Sequence, residues 1–147
     1  MRIKKQRDAK LKEIEVLVRY AQENGELRQL LSIIQAVDTR IRCRDEYKER
    51  IVNAADVFYI ESVDKKTFVY LKQEVLRADG RLYQLKEELS ACGFVQISKS
   101  CLININVLES VRTLLNSRME ATLSNGERLF VTRKYLADIR QALQEDR

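Results

Sequence analysis

Gly93-Phe94-Val95-Gln96-Ile97-Ser98-Lys99-Ser100-Cys101-Leu102-Ile103-Asn104 reads as two short buried strands, Phe94–Ile97 and Cys101–Ile103, broken by a polar tip. Apolar runs of three or four residues are too short for helices and suit strands that are covered on both faces. Ser98-Lys99-Ser100 is too brief and too polar to be core, so it predicts a projecting turn. Before it, Leu82, Leu85 and Leu89 recur at i, i+3 and i+7, which predicts a helix over 82–91 with Gly93 as its C-terminal cap.

The same texture extends both ways. Val107–Leu115 and Arg118–Leu123 are strand-like, and Asn125-Gly126 is the strongest hairpin signal in the chain, with Arg128–Thr132 as the returning strand. Leu136, Ile139 and Leu143 predict a last helix at about 134–144. Toward the N-terminus, Val57–Glu61 and Thr67–Leu71 flank the polar turn Asp64-Lys65-Lys66, and Glu74–Arg77 is a further strand closed by Asp79-Gly80. Arg40–Arg44 and Lys48–Asn53 flank Asp45-Glu46 as another hairpin candidate. Leu27, Leu30, Leu31, Ile34 and Val37 predict an amphipathic helix over 25–38, with Asn24 as its N-cap. Ile14, Val16, Val18 and Tyr20 alternate with Glu13, Glu15 and Arg19, which predicts a half-buried strand over 13–20. There is no proline, internal repeat or low-complexity linker. The fold class is therefore α+β, mostly antiparallel β with short helices, preceded by an N-terminal strand–helix unit.

Composition narrows the function by exclusion. The chain lacks histidine, which removes Ser-His-Asp and Cys-His nucleophile pairs and every histidine metal site. Neither a G-x-x-x-x-G-K-S/T nor a G-x-G-x-x-G loop occurs, so nucleotide-cradling loops are excluded. An enzyme is not expected, and neither is a cofactor or metal. Cys43, Cys92 and Cys101 contain no C-x-x-C pair and read as small buried hydrophobes. No apolar run reaches the roughly 20 residues of a membrane helix, and the basic N-terminus lacks an apolar signal core, so a cytoplasmic location and no membrane partner are expected.

Charge alone does not identify a nucleic-acid partner. The net charge is +5, but residues 1–12 account for all of it through Arg2, Lys4, Lys5, Arg7, Lys10 and Lys12 against Asp8. Such a tail is usually solvated, or a phosphate-touching arm at best. What matters is where particular residues stand. Lys99 lies between two apolar strands, and Arg133 with Lys134 falls where the last helix begins. Cations are disfavoured there by the helix dipole by a few tenths of a kcal/mol, which suits an anionic partner. The same terminus offers backbone N–H groups to phosphate. The competing readings are ordinary ones: a solvated turn for Lys99, ordinary turn lysines for Lys65 and Lys66, and an ion pair of Arg133 with Glu127 or Asp138.

Three segments carry a family resemblance. They are Asp56-Val57-Phe58-Tyr59-Ile60-Glu61-Ser62 with Phe68-Val69-Tyr70, the Gly93–Asn104 stretch, and Leu123-Ser124-Asn125-Gly126-Glu127 with Val131-Thr132-Arg133-Lys134-Tyr135. In this order and with these polar tips, residues 45–143 resemble the LytTR family. The resemblance implies an elongated stack of antiparallel sheets that binds promoter DNA through loops on one face, rather than through a recognition helix. It implies three contact regions: Lys65, Lys66 and Thr67; Ser98, Lys99 and Ser100; and Arg133 with Lys134. Thr67 has less hydrogen-bonding capacity than the family often carries at that place.

The expected organisation is a basic leader with a strand–helix extension over 1–44 and a DNA-binding domain over 45–147. The expected function is a sequence-specific transcription regulator of double-stranded promoter DNA. The alternative is a protein-interaction or ligand-sensing module in which DNA binding is lost or secondary. About 44 residues before the resemblance are too few for a receiver domain, so direct phosphorelay control is not expected. One strand and one helix bury too little surface to fold alone, so residues 13–38 are expected to brace the domain or to support a homodimer.

Overall fold

The computed structural model describes residues 1–145; the last two residues of the domain expected over 45–147 lie outside the described residues. Ten strands and three helices follow one another as α1 (Gly25–Asp38), β1 (Arg40–Arg44), β2 (Glu49–Asn53), β3 (Tyr59–Val63), β4 (Lys66–Tyr70), β5 (Val75–Ala78), α2 (Leu82–Glu88), β6 (Phe94–Ser98), β7 (Cys101–Asn104), β8 (Leu108–Thr113), β9 (Met119–Leu123), β10 (Arg128–Val131) and α3 (Leu136–Glu145). All strand pairs are antiparallel. They make a seven-stranded sheet of order β2-β1-β5-β4-β3-β7-β6 and a three-stranded sheet of order β10-β9-β8.

Two cores explain why the central strands are apolar almost throughout. Alternate residues of β3 and β7 face opposite sides of the large sheet. Ile60 and Leu102 join Ala36, Ile41, Val69, Leu76, Leu85 and Leu89 in one core beside α1 and α2. Tyr59, Cys101 and Ile103 join Ile97, Met119, Leu123, Val131, Leu136 and Ile139 in the other, against the small sheet and α3. Strands covered on both sides cannot show a polar alternation.

Local chemistry sets the ends of the elements. The Asn24 side chain accepts from the Leu27 N–H (2.9 Å), as an N-cap does. Gly93 adopts a left-handed φ of 85° at the end of the short helical turn Ser90–Cys92. A Cβ there would lie 2.8 Å from the Asn106 side-chain nitrogen, so glycine is required twice over. Asn106 in turn donates to the Ser32 hydroxyl (3.2 Å), tying α1 to the turn after β7. Asn104 is buried and satisfied: it donates to the Val57 carbonyl (2.9 Å) and accepts from the Asn106 N–H (3.0 Å).

One expectation changes at the N-terminus. Residues 13–20 form no strand, because among the described residues no strand pairs with them, and a strand exists only as part of a ladder. The expected division at positions 44 and 45 falls within the β1–β2 hairpin. There β1 also pairs β5, and α1 packs through Leu27 and Ala36.

Candidate nucleic-acid interface

Five strands position the basic tips: β3 with β4, β6 with β7, and β10. The first tip is the β3–β4 hairpin, where Asp64 (φ 51°) and Lys65 (φ 66°) are both left-handed. That is the geometry of a two-residue turn matched to strand twist. Lys65 and Lys66 are exposed there. Thr67 is not: it is 3% exposed and shares the inward face of β4 with Val69. Of the expected first contact region, only the two lysines are therefore exposed.

The second tip joins β6 to β7. The ladder shifts register between Gln96 and Ser98, a bulge that sharpens the local twist and re-aims the turn beyond it. Lys99 stands exposed at that turn, between half-buried Ser98 and Ser100; the Ser98 hydroxyl accepts from the Ser100 N–H (3.3 Å). Cys101, next along, is buried, and burial pushes its thiol up to about 12, with Glu61 adding to the effect. It stays a neutral thiol at physiological pH.

The third tip is the tight turn Arg133–Tyr135 that leads into α3. Arg133 and Lys134 are exposed, and the Lys134 ammonium lies 5.7 Å from the Tyr135 ring centroid. Neither the Arg133–Glu127 nor the Arg133–Asp138 ion pair forms among the described residues.

These tips are distant in sequence and adjacent in space. The Ser62 N–H donates to the Ser100 carbonyl (2.8 Å), fastening the first hairpin to the second. The Thr132 N–H donates to the Ile97 carbonyl (2.9 Å), and its hydroxyl reaches the same oxygen (3.4 Å), fastening the third tip to the second. β4, β3, β7 and β6 are neighbours in that order, so the two hairpins together span about 14 Å at the usual strand spacing, with the third tip fastened beside β6. A major groove is about 12 Å wide.

Sequence reasoning missed one cation. The Lys86 ammonium donates to the Gln96 side-chain oxygen (2.8 Å), and the Gln96 amide nitrogen lies 3.5 Å from the Lys99 carbonyl. Lys86 sits on α2 and joins the second tip only through folding, so no local motif announces it. Lys65, Lys66, Lys86, Lys99, Arg133 and Lys134 form no salt bridge among the described residues, and Asp64 is the one acid within the tips.

Lys65 separates folding from binding. Holding a lysine left-handed costs about 1 kcal/mol, which glycine avoids. Lys65→Gly is expected to leave thermal stability unchanged or slightly raised. DNA affinity should fall for all sequences, with the salt slope reduced by about one. A melting curve and a salt titration on the same sample test both halves.

An antiparallel β-scaffold that gathers exposed basic tips at one end of the large sheet offers a surface suited to an anionic partner. The family model described as the LytTr DNA-binding domain matches residues 47–144, and the chain belongs to this family, which binds DNA and is not enzymatic. Among curated proteins, it is similar to the sensory transduction protein LytT of Enterococcus faecalis, 20% identical over 63% of this chain and 38% of that protein. It is similar also to LytT of Bacillus cereus, 26% identical over 64% of this chain and 38% of that protein. An HTH-type transcriptional regulator of Staphylococcus aureus is 26% identical over 63% of each chain. The chain thus spans well under half the length of the LytT proteins. A solved LytTr DNA-binding domain from Bacillus cereus superposes with a TM-score of 0.67 at 23% identity, covering 71% of this chain and 96% of that one, and so shares the fold. No helix among the described residues is long and apolar enough to cross a membrane.

Proposed function

We propose that the chain is a sequence-specific regulator of transcription that reads double-stranded promoter DNA through the three fastened tips, acts as a pair of copies, and works in the cytoplasm. The observation that carries the reading is the fastening itself. Two backbone hydrogen bonds bring Lys65 and Lys66, Lys99, and Arg133 with Lys134 onto one edge. Phosphate contacts position a protein, and base-edge contacts specify sequence. Arg133 and Lys99 are assigned to base edges, where an arginine fork fits guanine O6 and N7. Lys65, Lys66, Lys86 and Lys134 are assigned to phosphates, with the hydroxyls of Ser98 and Ser100 in support. The division between positions 44 and 45 becomes one of roles: DNA reading lies after it, and residues 13–38 before it serve pairing of copies.

Four phosphate cations per copy imply a slope of log affinity against log salt of about −4 for each copy bound, and about −7 when a pair of copies occupies the site. The test is a gel shift of the chain on its own promoter region across a salt series, with random duplex as competitor. Specific binding with a steep linear slope is expected. Promoter fragments bound no better than random DNA at any salt would refute the regulator reading.

A further inference from the structure

Residues 14–20 alternate like a strand yet have no strand to pair with. They contain no turn, bend or helix, and among the described residues their backbone groups make no hydrogen bond. Ile14 is 93% exposed and Leu17 80%. A groove of about 740 Å³ lies between this segment, residues 1–4 and α1, with Val16, Val18, Tyr20, Leu27, Leu30 and Ile34 among its apolar lining. The segment thus presents unpaired backbone, a period-two apolar set and an unfilled apolar groove together. An extended edge of this kind is a template for another strand.

We propose that the occupant is the same segment of a second copy, paired antiparallel about a two-fold axis at Leu17; this deepens the two-copy reading above and rests on it. Symmetry restricts the choice. A two-fold axis normal to a sheet sets each residue opposite a residue of the same face, so the axis must pass through a residue position. Centred on Leu17, the pairing sets Val16 against the partner's Val18, Ile14 against the partner's Tyr20, and Glu15 against the partner's Arg19. Every apolar residue meets an apolar one. Glu15 meets an opposite charge, and the axis repeats that ion pair. Centred on Val16, Lys12 would oppose Tyr20 and Glu15 would oppose Leu17. Centred on Val18, Arg19 would oppose Leu17 and Glu15 would oppose Ala21. Only the Leu17 register matches both faces. A two-stranded ribbon is marginal by itself. Here its apolar face lies over α1 of each copy, where Leu30 and Ile34 already line the groove.

Charge reversal tests the register. Glu15→Arg sets two arginine pairs against each other, and Arg19→Glu does the same with two glutamates. Each variant of the full chain is expected to dimerise about tenfold more weakly or worse, read by analytical ultracentrifugation. An equimolar mixture of the two variants should recover the dimer, because both ion pairs re-form, one with the wild-type polarity and one reversed. The Glu15→Arg/Arg19→Glu double variant should recover it alone. Leu17→Cys should cross-link to itself under mild oxidation. Both charged residues are exposed, so circular dichroism should be unchanged. A monomeric wild type at high micromolar concentration, single variants as dimeric as wild type, or a mixture that stays monomeric would each overturn the proposal. Gel shifts on a single half-site, run on the same samples, report the DNA reading separately, since each copy carries its own tips.

Discussion

Arg133→Ala is expected to lose about 1–3 kcal/mol of specific binding, roughly 5- to 150-fold, and to relax preference at one base position. The loss follows from geometry. Arg133 is exposed, free of ion pairs among the described residues, and set in a turn whose preceding residue is fastened to Ile97. A guanidinium on so fixed a base can hold a bidentate contact without much loss of freedom. Lys134→Ala supplies the contrast: a phosphate contact weakens all sequences alike and takes about one unit from the salt slope. Lys99→Ala should resemble Arg133→Ala at a different base position, because its tip belongs to another hairpin. None of the three should cost more than about 0.5 kcal/mol of folding stability, since all are exposed. Titrations on the cognate site and its single-base variants decide the matter. Wild-type affinity and specificity in both Arg133→Ala and Lys99→Ala would move the DNA face elsewhere.

Asn104→Leu is expected to cost about 2–5 kcal/mol of stability, read as a lower urea midpoint at unchanged slope. The side chains are similar in volume, so the loss is polar. Two groups, the buried Val57 carbonyl and the part-buried Asn106 N–H, lose their partner. The Asn106 turn would loosen with them, and with it the link to Ser32 on α1. Asn104 is at the far end of β7 from Ser100, so the fraction that remains folded should bind DNA normally. A stability change under about 0.5 kcal/mol would show that water replaces the amide without cost.

Much of this architecture is legible in the sequence where its cause is local. Asn24, the leucine spacing of α1, Gly93 and Asn125-Gly126 each act through neighbours a few residues away, and each marks an element end or turn found in the structure. Strand pairing is not local. The alternation of residues 13–20 says which side chains share a face but not whether a partner strand exists in the same chain. Nor does the Arg40–Arg44 pattern reveal that β1 pairs β5 as well as β2. Thr67 shows the opposite error: its closeness to a polar turn suggests a surface role, although period two sets it beside Val69 on the buried face. The site divides in the same way. The tips themselves can be read from their polarity, but their fastening and the arrival of Lys86 depend on pairings that no local signal encodes.

The two fastening bonds also fix when DNA recognition becomes available during folding. They join position 62 to 100 and 97 to 132, so the reading edge is built from non-local contacts, which form late and slowly. A chain still emerging from the ribosome holds separate basic loops, and one whose α3 segment has opened locally holds its third tip apart from the other two, rather than a joined row. Such a chain can adhere to any duplex through charge, but it cannot select one. If the three tips read DNA as proposed, specificity reports completed folding, and loss of discrimination should precede loss of adhesion as the native state is destabilised.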